Sequence, residues 1–285
     1  MNTWPGRRLV KMHYEVEEIS LADTQRIFEY MQEGVYGVEF NLKGFDYPWI
    51  IKSRSWENGE RILDVGAAYS PLPIHIAKTY GCEVWVADDF GCSVEDSFWL
   101  RNQSHEEHIQ RNPEVKYVLE RLGDPQGSSL PAGYFDCIYS ASAIEHVPPS
   151  QLRSVFRHMD HLLRPGGDML HAVDIALPTN RGLPHVVLAV LFDFLYPFIP
   201  FKLRQRFAYE TPRSFVRFAM KDLKVHPNHE GRNLSVIDMV LNPEIMVESM
   251  QHTYNRIIKD GFQDQRHFRV TSLVLHMRKD SASTA

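Results

Sequence analysis

Four short apolar runs punctuate the middle of the chain: Arg61–Val65, Glu83–Ala87, Phe135–Ser140 and Met169–Asp174. Continuous apolar character over so few residues is the pattern of strands covered on both faces. Between the runs the spacing lengthens. Leu152, Val155, Phe156, Met159, Leu162 and Leu163 fall on one face of a helix that Arg164-Pro165-Gly166-Gly167 stops, and Pro71 opens another helix that runs to Tyr80. Strands alternating with helices predict an α/β fold with a mostly parallel sheet flanked by helices.

The flanks read differently. A last strand is expected over Phe268–Met277, preceded by a helix from Asn242-Pro243 to Gly261. Residues 1–58 show helical patterning around Leu21–Gln32 and carry Tyr36, Phe45, Tyr47, Trp49 and Trp56, which predicts a helical N-terminal cover that adds no strand. After a core over 59–175, the pattern changes across 176–241. Pro178, Pro184, Pro197, Pro200 and Pro212 interrupt a stretch rich in aromatics and arginines, the composition of an inserted lid. Residues 242–285 then return to the core as a helix and last strands. The apolar part of the lid, His185 to Phe201, is shorter than the roughly 20 residues of a membrane span and contains Asp193, so it is expected to pack over a pocket rather than cross a bilayer.

Composition narrows the partners. A formal net charge of -5 with dispersed basic residues argues against nucleic acid, whose phosphates call for a strongly basic face. Cys82, Cys92 and Cys137 are too few and too scattered for a disulfide framework or a metal cluster, which fits a reducing cytoplasm. Arg7, Arg8 and Lys11 have no apolar run behind them, so no secretory signal is expected. The histidines lack metal-ligand spacing and no resident metal is expected; Asp174 with Glu145 or His171 comes nearest to a divalent-ion site. The expected partner is a small molecule, without nucleic acid and without stable membrane insertion, and a homodimer stays open.

Candidate chemistry begins in the segment 61–70. An apolar strand runs into Asp64 and Gly66 and then into a proline-initiated helix, so the backbone admits a close ligand and the helix start offers free N–H groups to an anion. The next strand ends in Ala87-Asp88-Asp89, where dinucleotide folds place a ribose-binding acid. Further along come Gly123-Asp124 with Leu130-Pro131 and Phe135-Asp136, then Ile144-Glu145-His146-Val147, then Leu163-Arg164-Pro165-Gly166-Gly167. Taken in this order over about residues 60 to 175, these segments resemble the motifs of class I, Rossmann-like S-adenosylmethionine-dependent methyltransferases of the small-molecule type.

The resemblance implies a Rossmann-like methyltransferase fold with a seven-stranded sheet, and S-adenosyl-L-methionine as cofactor, released as S-adenosyl-L-homocysteine. It implies that Asp64, Gly66, Ala67 and Ala68 lie about the methionine portion and that Asp88, with Asp89 beside it, takes the ribose hydroxyls. Asp124 would reach the adenine amino group, and Ser140 and Ala141 would flank the methionyl chain. The sequence departs from the family in carrying Ala68 and Ser70 where further glycines are usual, and alanine disfavours positive φ.

For the reaction, His146 is the first candidate general base, since it follows the fourth strand at the sheet's carboxyl edge and imidazole titrates near neutral pH. Asp174 ends the next strand and would orient the acceptor or serve as the base. By analogy with the family that the chain resembles, an apolar lid implies O-methylation of a natural-product or glycoside hydroxyl, and the lid residues Arg181, Arg204, Arg206, Arg213 and Arg217 either bind an acidic group or form a solvated face. N-methylation and a non-catalytic binding protein of the same fold are the alternatives. A nicotinamide oxidoreductase is disfavoured, because Gly66-Ala67-Ala68-Tyr69-Ser70-Pro71 lacks the GxGxxG spacing that a pyrophosphate needs.

Overall fold

The computed structural model describes residues 13–22, 24–32, 43–90, 104–178, 187, 215–216, 223–225, 247–248 and 268–281. Its centre alternates as the apolar runs predict: β2 (Arg61–Val65), α3 (Leu72–Tyr80), β3 (Glu83–Ala87), α4 (His105–Arg111), β4 (Val115–Val118), β5 (Phe135–Ala141), α5 (Pro149–Leu162) and β6 (Leu163–Pro178). Before it stand β1 (His13–Leu21), α1 (Thr24–Gln32) and α2 (Lys43–Lys52); after it come β7 (Lys224–Val225), β8 (Val247–Glu248) and β9 (Phe268–Lys279).

Among the described residues, seven strands of four residues or more run in the order β4-β3-β2-β5-β6-β9-β1, and the two-residue strands β7 and β8 pair with β1 and β9. From β4 to β6 every pair is parallel, whereas β9 lies antiparallel to both β6 and β1. This is the mostly parallel, Rossmann-like sheet. Helices cover both of its faces. Leu152, Val155, Phe156, Met159 and Leu162 of α5 pack with Leu63, Ile138 and Met169 on one side. On the other, Ile27 of α1, Phe45 and Trp49 of α2, and Leu72 and Ile76 of α3 pack with Ile62, Val84 and Leu170. Adjacent strand residues thus feed opposite cores, which is why these strands show no polar alternation.

The first sixty residues depart from the expectation of a cover without strands. His13–Leu21 forms β1, antiparallel to β9 from Tyr14↔Lys279 to Leu21↔Leu273. The reason is visible in its alternation: Tyr14 and Val16 are buried while Glu15 and Glu17 are exposed, so one face alone carries the apolar signal. The helical patterning around Leu21–Gln32 is realised as α1. The expected helix from 242 to 261 is interrupted by β8, whose Val247 pairs with Val270 of β9; the remainder of that helix lies outside the described residues. Within 176–241, Phe215 and Leu223 join the core and Lys224–Val225 joins the sheet. The lid arginines and most of the apolar stretch 185–201 lie outside the described residues, among which no helix is long and apolar enough to cross a membrane.

Arg164-Pro165-Gly166-Gly167 ends α5 as expected but is drawn into β6 rather than left as a free turn, with a register shift between Phe135 and Cys137 on the partner strand. Gly167 is required there, since a Cβ would stand 2.9 Å from the Asp136 carbonyl oxygen. One buried polar cluster ties β1 to this region. The Tyr14 hydroxyl donates to Asp160 Oδ1 at 2.6 Å, while Lys279 Nζ donates to the carbonyls of Asp160 (2.6 Å) and Leu163 (2.9 Å) at the end of α5. Tyr14→Phe leaves the ring and removes only the hydroxyl, so it should cost about 1–3 kcal/mol in urea denaturation; an unchanged midpoint would show that β1 is not anchored through this bond.

Candidate active site

The carboxyl ends of β2, β3, β4 and β5 open onto one cavity of about 360 Å³. Gly66 and Ala68 line it after β2, Asp88 and Asp89 after β3, and residues 120–122 after β4; Ser142, Ala143 and His146 line it after β5, and Gln151 and Val155 from α5. Its tightest point is between the first and last of these strands. Gly66 has φ +77° and a Cβ built on it would stand 2.6 Å from Ala143 Cβ, so only glycine lets the two loops meet.

The turn after β2 is held by Asp88. Its Oδ2 accepts from Ala68 N at 2.6 Å and its Oδ1 from Phe90 N at 2.6 Å, while Gly66 N donates to the Ala87 carbonyl at 2.9 Å. Ala68 takes φ +46°, the conformation alanine disfavours, and the charge-assisted bond to Asp88 offsets that cost. Burial raises the Asp88 pKa, and the two backbone amides pull against that rise. Ser70, at the other departure from glycine, accepts from Leu72 N at 3.2 Å and so helps start α3. Asp89 pairs with Arg121 at 2.6 Å, which joins the loops after β3 and β4.

Other residues singled out by the sequence sit apart from the cavity. Asp64 is buried beneath it, with Oδ1 lacking a hydrogen-bond partner among the described residues, and burial pushes its pKa to about 8. Ala67 is buried in the core on the α3 side. Asp124 does not line the cavity: its Oδ1 accepts from Gln126 N at 3.0 Å, the local turn that Gly-Asp-Pro favours, and residues 120–122 form the wall instead. Ser140 is fully buried, its hydroxyl 2.9 Å from Nδ1 of His171, whose pKa burial lowers to about 3. Ala141 presents its carbonyl to Lys43 Nζ at 2.8 Å. Ser142 and Ala143 hold the lining positions expected for Ser140 and Ala141, because β5 runs through Ala141 before the chain turns at Ser142, φ +47°.

His146 closes a short 3₁₀ turn, Ile144–His146, and presents its ring at the cavity rim with 82% of the side chain exposed; Nε2 is 3.9 Å from Glu145 Oε1. Behind it lies a cluster that sequence reasoning missed in part. Lys43 and Asp46 of α2 meet Ser142 and Glu145, which follow β5, and Asp174, which does not end its strand as expected but lies within β6, since pairing with β9 carries that strand on to Pro178. Nothing in the sequence signals this meeting, because α2 stands about a hundred residues from β5 and packs on it only through the tertiary fold.

Protons in this cluster can be counted. The Ser142 hydroxyl lies 2.9 Å from Asp46 Oδ2 and 2.7 Å from Asp174 Oδ1, and Ser272 donates to Asp46 Oδ1 at 2.7 Å. A hydroxyl carries one hydrogen, so when both contacts are made one carboxyl must donate. Burial, and then repulsion from Asp174, push Asp46 to about 7, so a proton is available there near neutral pH. Burial and Asp174 also hold Glu145 well above the usual carboxylate range, and neither of its oxygens has a hydrogen-bond partner among the described residues. Lys43 is the cation of the group; burial opposes its charge, but Asp174 and Asp46 keep its pKa above the ordinary value. Asp174 thus neighbours this ammonium, and His171 is engaged with Ser140. Among the described residues no three His, Cys, Asp or Glu side chains are arranged to hold a metal ion.

Two substitutions test this geometry. Gly66→Ala meets both the clash and the positive φ, and should lose about 1–3 kcal/mol of stability in denaturation curves; an unchanged midpoint would mean the loops are not held at this contact. For Asp64, the folded pKa of about 8 lies above the ordinary 3.8, so its contribution is complete below about pH 4 and is lost as pH rises through about 8. Asp64→Asn, neutral at every pH, should therefore gain stability relative to wild type across that window in denaturation curves. A constant difference from pH 4 to 8 would mean that Asp64 is ionised in the folded state throughout.

Residues 51–210 match the family model for a methyltransferase domain. No curated protein matches the chain in sequence. Among solved structures, phosphoethanolamine N-methyltransferase 2 of Haemonchus contortus, in complex with S-adenosyl-L-methionine, is 13% identical with a TM-score of 0.46, covering 87% of this chain and 56% of its own. This chain therefore spans little more than half the length of that protein. Geranyl diphosphate C-methyltransferase of Streptomyces coelicolor A3(2), in complex with Mg2+, geranyl diphosphate and S-adenosyl-L-homocysteine, is 12% identical with a TM-score of 0.45, covering 93% of this chain and 91% of its own. With the family model matching more than half of its residues over the cavity-forming core, the chain belongs to the methyltransferase-domain family of Rossmann-like, S-adenosylmethionine-dependent enzymes.

Proposed function

We propose that this chain methylates a hydroxyl group of a small organic acceptor, with S-adenosylmethionine bound in the cavity above β2–β5 and His146 taking the acceptor's proton. The cavity volume falls within the roughly 300–1,000 Å³ of small-molecule sites. The residues present fit the cofactor. Gly66 leaves backbone space where any Cβ would strike Ala143, and each Asp88 oxygen, though it already accepts one amide, retains a lone pair for a ribose hydroxyl. Residues 120–122 and Val155 provide the wall on the adenine side.

The observation that carries the hydroxyl reading is the placement of His146. Asp88 follows β3 and His146 follows β5, with β2 and its glycine turn between them in the sheet, so the acid for the nucleoside and the exposed imidazole share one cavity. Bound cofactor supplies a methyl group already activated on a sulfonium. What the chain would add is position and a proton acceptor: as the acceptor oxygen takes the methyl carbon and the methyl–sulfur bond breaks to leave the neutral thioether, the hydroxyl hydrogen would pass to an imidazole nitrogen of His146. The cluster of Asp46, Glu145 and Asp174 about Lys43 lies behind this point. Glu145, whose two oxygens have no hydrogen-bond partner among the described residues, favours a second reading, in which its carboxyl accepts from an amine N–H and the product is N-methylated.

Calorimetric titration with S-adenosylhomocysteine tests the cofactor assignment, and turnover of hydroxylated acceptors by wild type and His146→Asn tests the base. The substitution should leave product affinity within about twofold and lower kcat by about 10²–10⁴. Unaltered turnover would remove His146 from the chemistry, and turnover confined to amine acceptors would replace the hydroxyl reading by the second one.

A further inference from the structure

The cavity walls come from separate elements, and one buried side chain fastens two of them together. Gln151 and Val155 line the cavity from α5; residues 120–122 line it from the loop after β4. One turn along α5 from Val155, His158 is fully buried, and its Nδ1 accepts a hydrogen bond from Gly123 N at 3.1 Å. The loop is braced on itself. The Glu120 carboxylate accepts from Ser129 N at 3.0 Å and from the Ser128 and Ser129 hydroxyls, and Asp124 closes its own turn on Gln126. The loop thus stands as one unit against the helix. Packing alone does not lock it to α5, since a Cβ added to Gly123 would make only ordinary contact, 3.6 Å from Ser154 Oγ and 3.8 Å from Val155 Cγ2.

We propose that His158 is a positioning residue for the cofactor: its neutral ring, through Gly123, fixes the wall formed by residues 120–122 against α5, and protonating the ring releases that wall and weakens cofactor binding. An imidazole nitrogen that accepts from a backbone N–H must offer a lone pair, so the ring proton resides on Nε2. Nε2 is buried without a hydrogen-bond partner among the described residues. A second proton would go to Nδ1, where two N–H groups would face each other with no acceptor between them. Glu120 and Asp124 of the loop favour the charged ring, and His161 of α5 opposes it. Burial is the largest influence and carries the pKa below its usual value, so the neutral ring is kept at neutral pH and the bond is lost as pH falls.

This inference rests on the cavity being the cofactor site, and the experiment separates the two. S-adenosylhomocysteine is titrated calorimetrically into the full chain between about pH 5 and 8, for wild type, His158→Asn and His158→Leu. The Asn amide oxygen can accept from Gly123 N and does not titrate; Leu fills the space and accepts nothing. We expect wild type to lose about tenfold in affinity toward the acid end, while His158→Asn starts within about threefold of wild type and stays flatter with pH. His158→Leu should bind roughly 3–10-fold more weakly at pH 8. An Asn variant that keeps the wild-type slope, or a Leu variant that binds like wild type at pH 8, overturns the proposal; if thermal melts show the Leu variant unfolded, the Asn slope decides alone. Wild type that fails to bind at pH 8 overturns the cofactor assignment, and this inference with it.

Discussion

The geometry of the cavity depends on a single carboxylate accepting two backbone amides. Asp88 draws Ala68 N and Phe90 N to 2.6 Å each, and this fixes the turn after β2 in a conformation that alanine resists. Gly66 is thereby brought against Ala143, and the loops after β2 and β5 enclose one space instead of two. A family that usually keeps glycine at this turn spends no strain there; this chain does, and a charge-assisted bond restrains the strained residue. The same acid is the one proposed to bind ribose, so holding the loop and holding the ligand draw on different lone pairs of one side chain.

Beyond this turn the carboxyl edge of the sheet is unusually rich in buried acids. Asp64 lies beneath the cavity, and Asp46, Glu145 and Asp174 gather around Lys43. Low-dielectric surroundings leave two ways to keep such groups: neutralise them with a proton or pair them with a cation. Asp64 and Asp46 take the first, each raised far above its ordinary value, and Lys43 provides the second. Glu145, with neither oxygen hydrogen-bonded among the described residues, is likewise raised by burial, and it adjoins the residue proposed as base.

How much of this the sequence disclosed follows from which faces each element buries. β2, β3, β5 and the apolar face of α5 were legible because two-sided or one-sided burial leaves an uninterrupted periodic signal. β1 was not, since Glu15 and Glu17 dilute it, and β4 is only Val115–Val118 beside the β3 edge. At the site, Gly66 and Asp88 could be read because a strand-turn-helix fixes them locally. Ser140 and Ala141 fell short of the lining by two residues, for β5 extends farther than its apolar run indicates, and Asp124 satisfies its own turn. Lys43 and Asp46 arrive from α2 across the tertiary fold, a kind of proximity that no local pattern encodes.

The pairing of β1 with β9 bears on how the chain is made. His13–Leu21 leaves the ribosome some 250 residues before its antiparallel partner Phe268–Lys279, on the order of tens of seconds earlier. Meanwhile β2 to β6 and their helices can assemble from near neighbours. The half of the sheet that carries the cavity can therefore acquire shape while the chain is still growing. The other half waits on a long-range closure whose entropic cost is met only once β9 has been made.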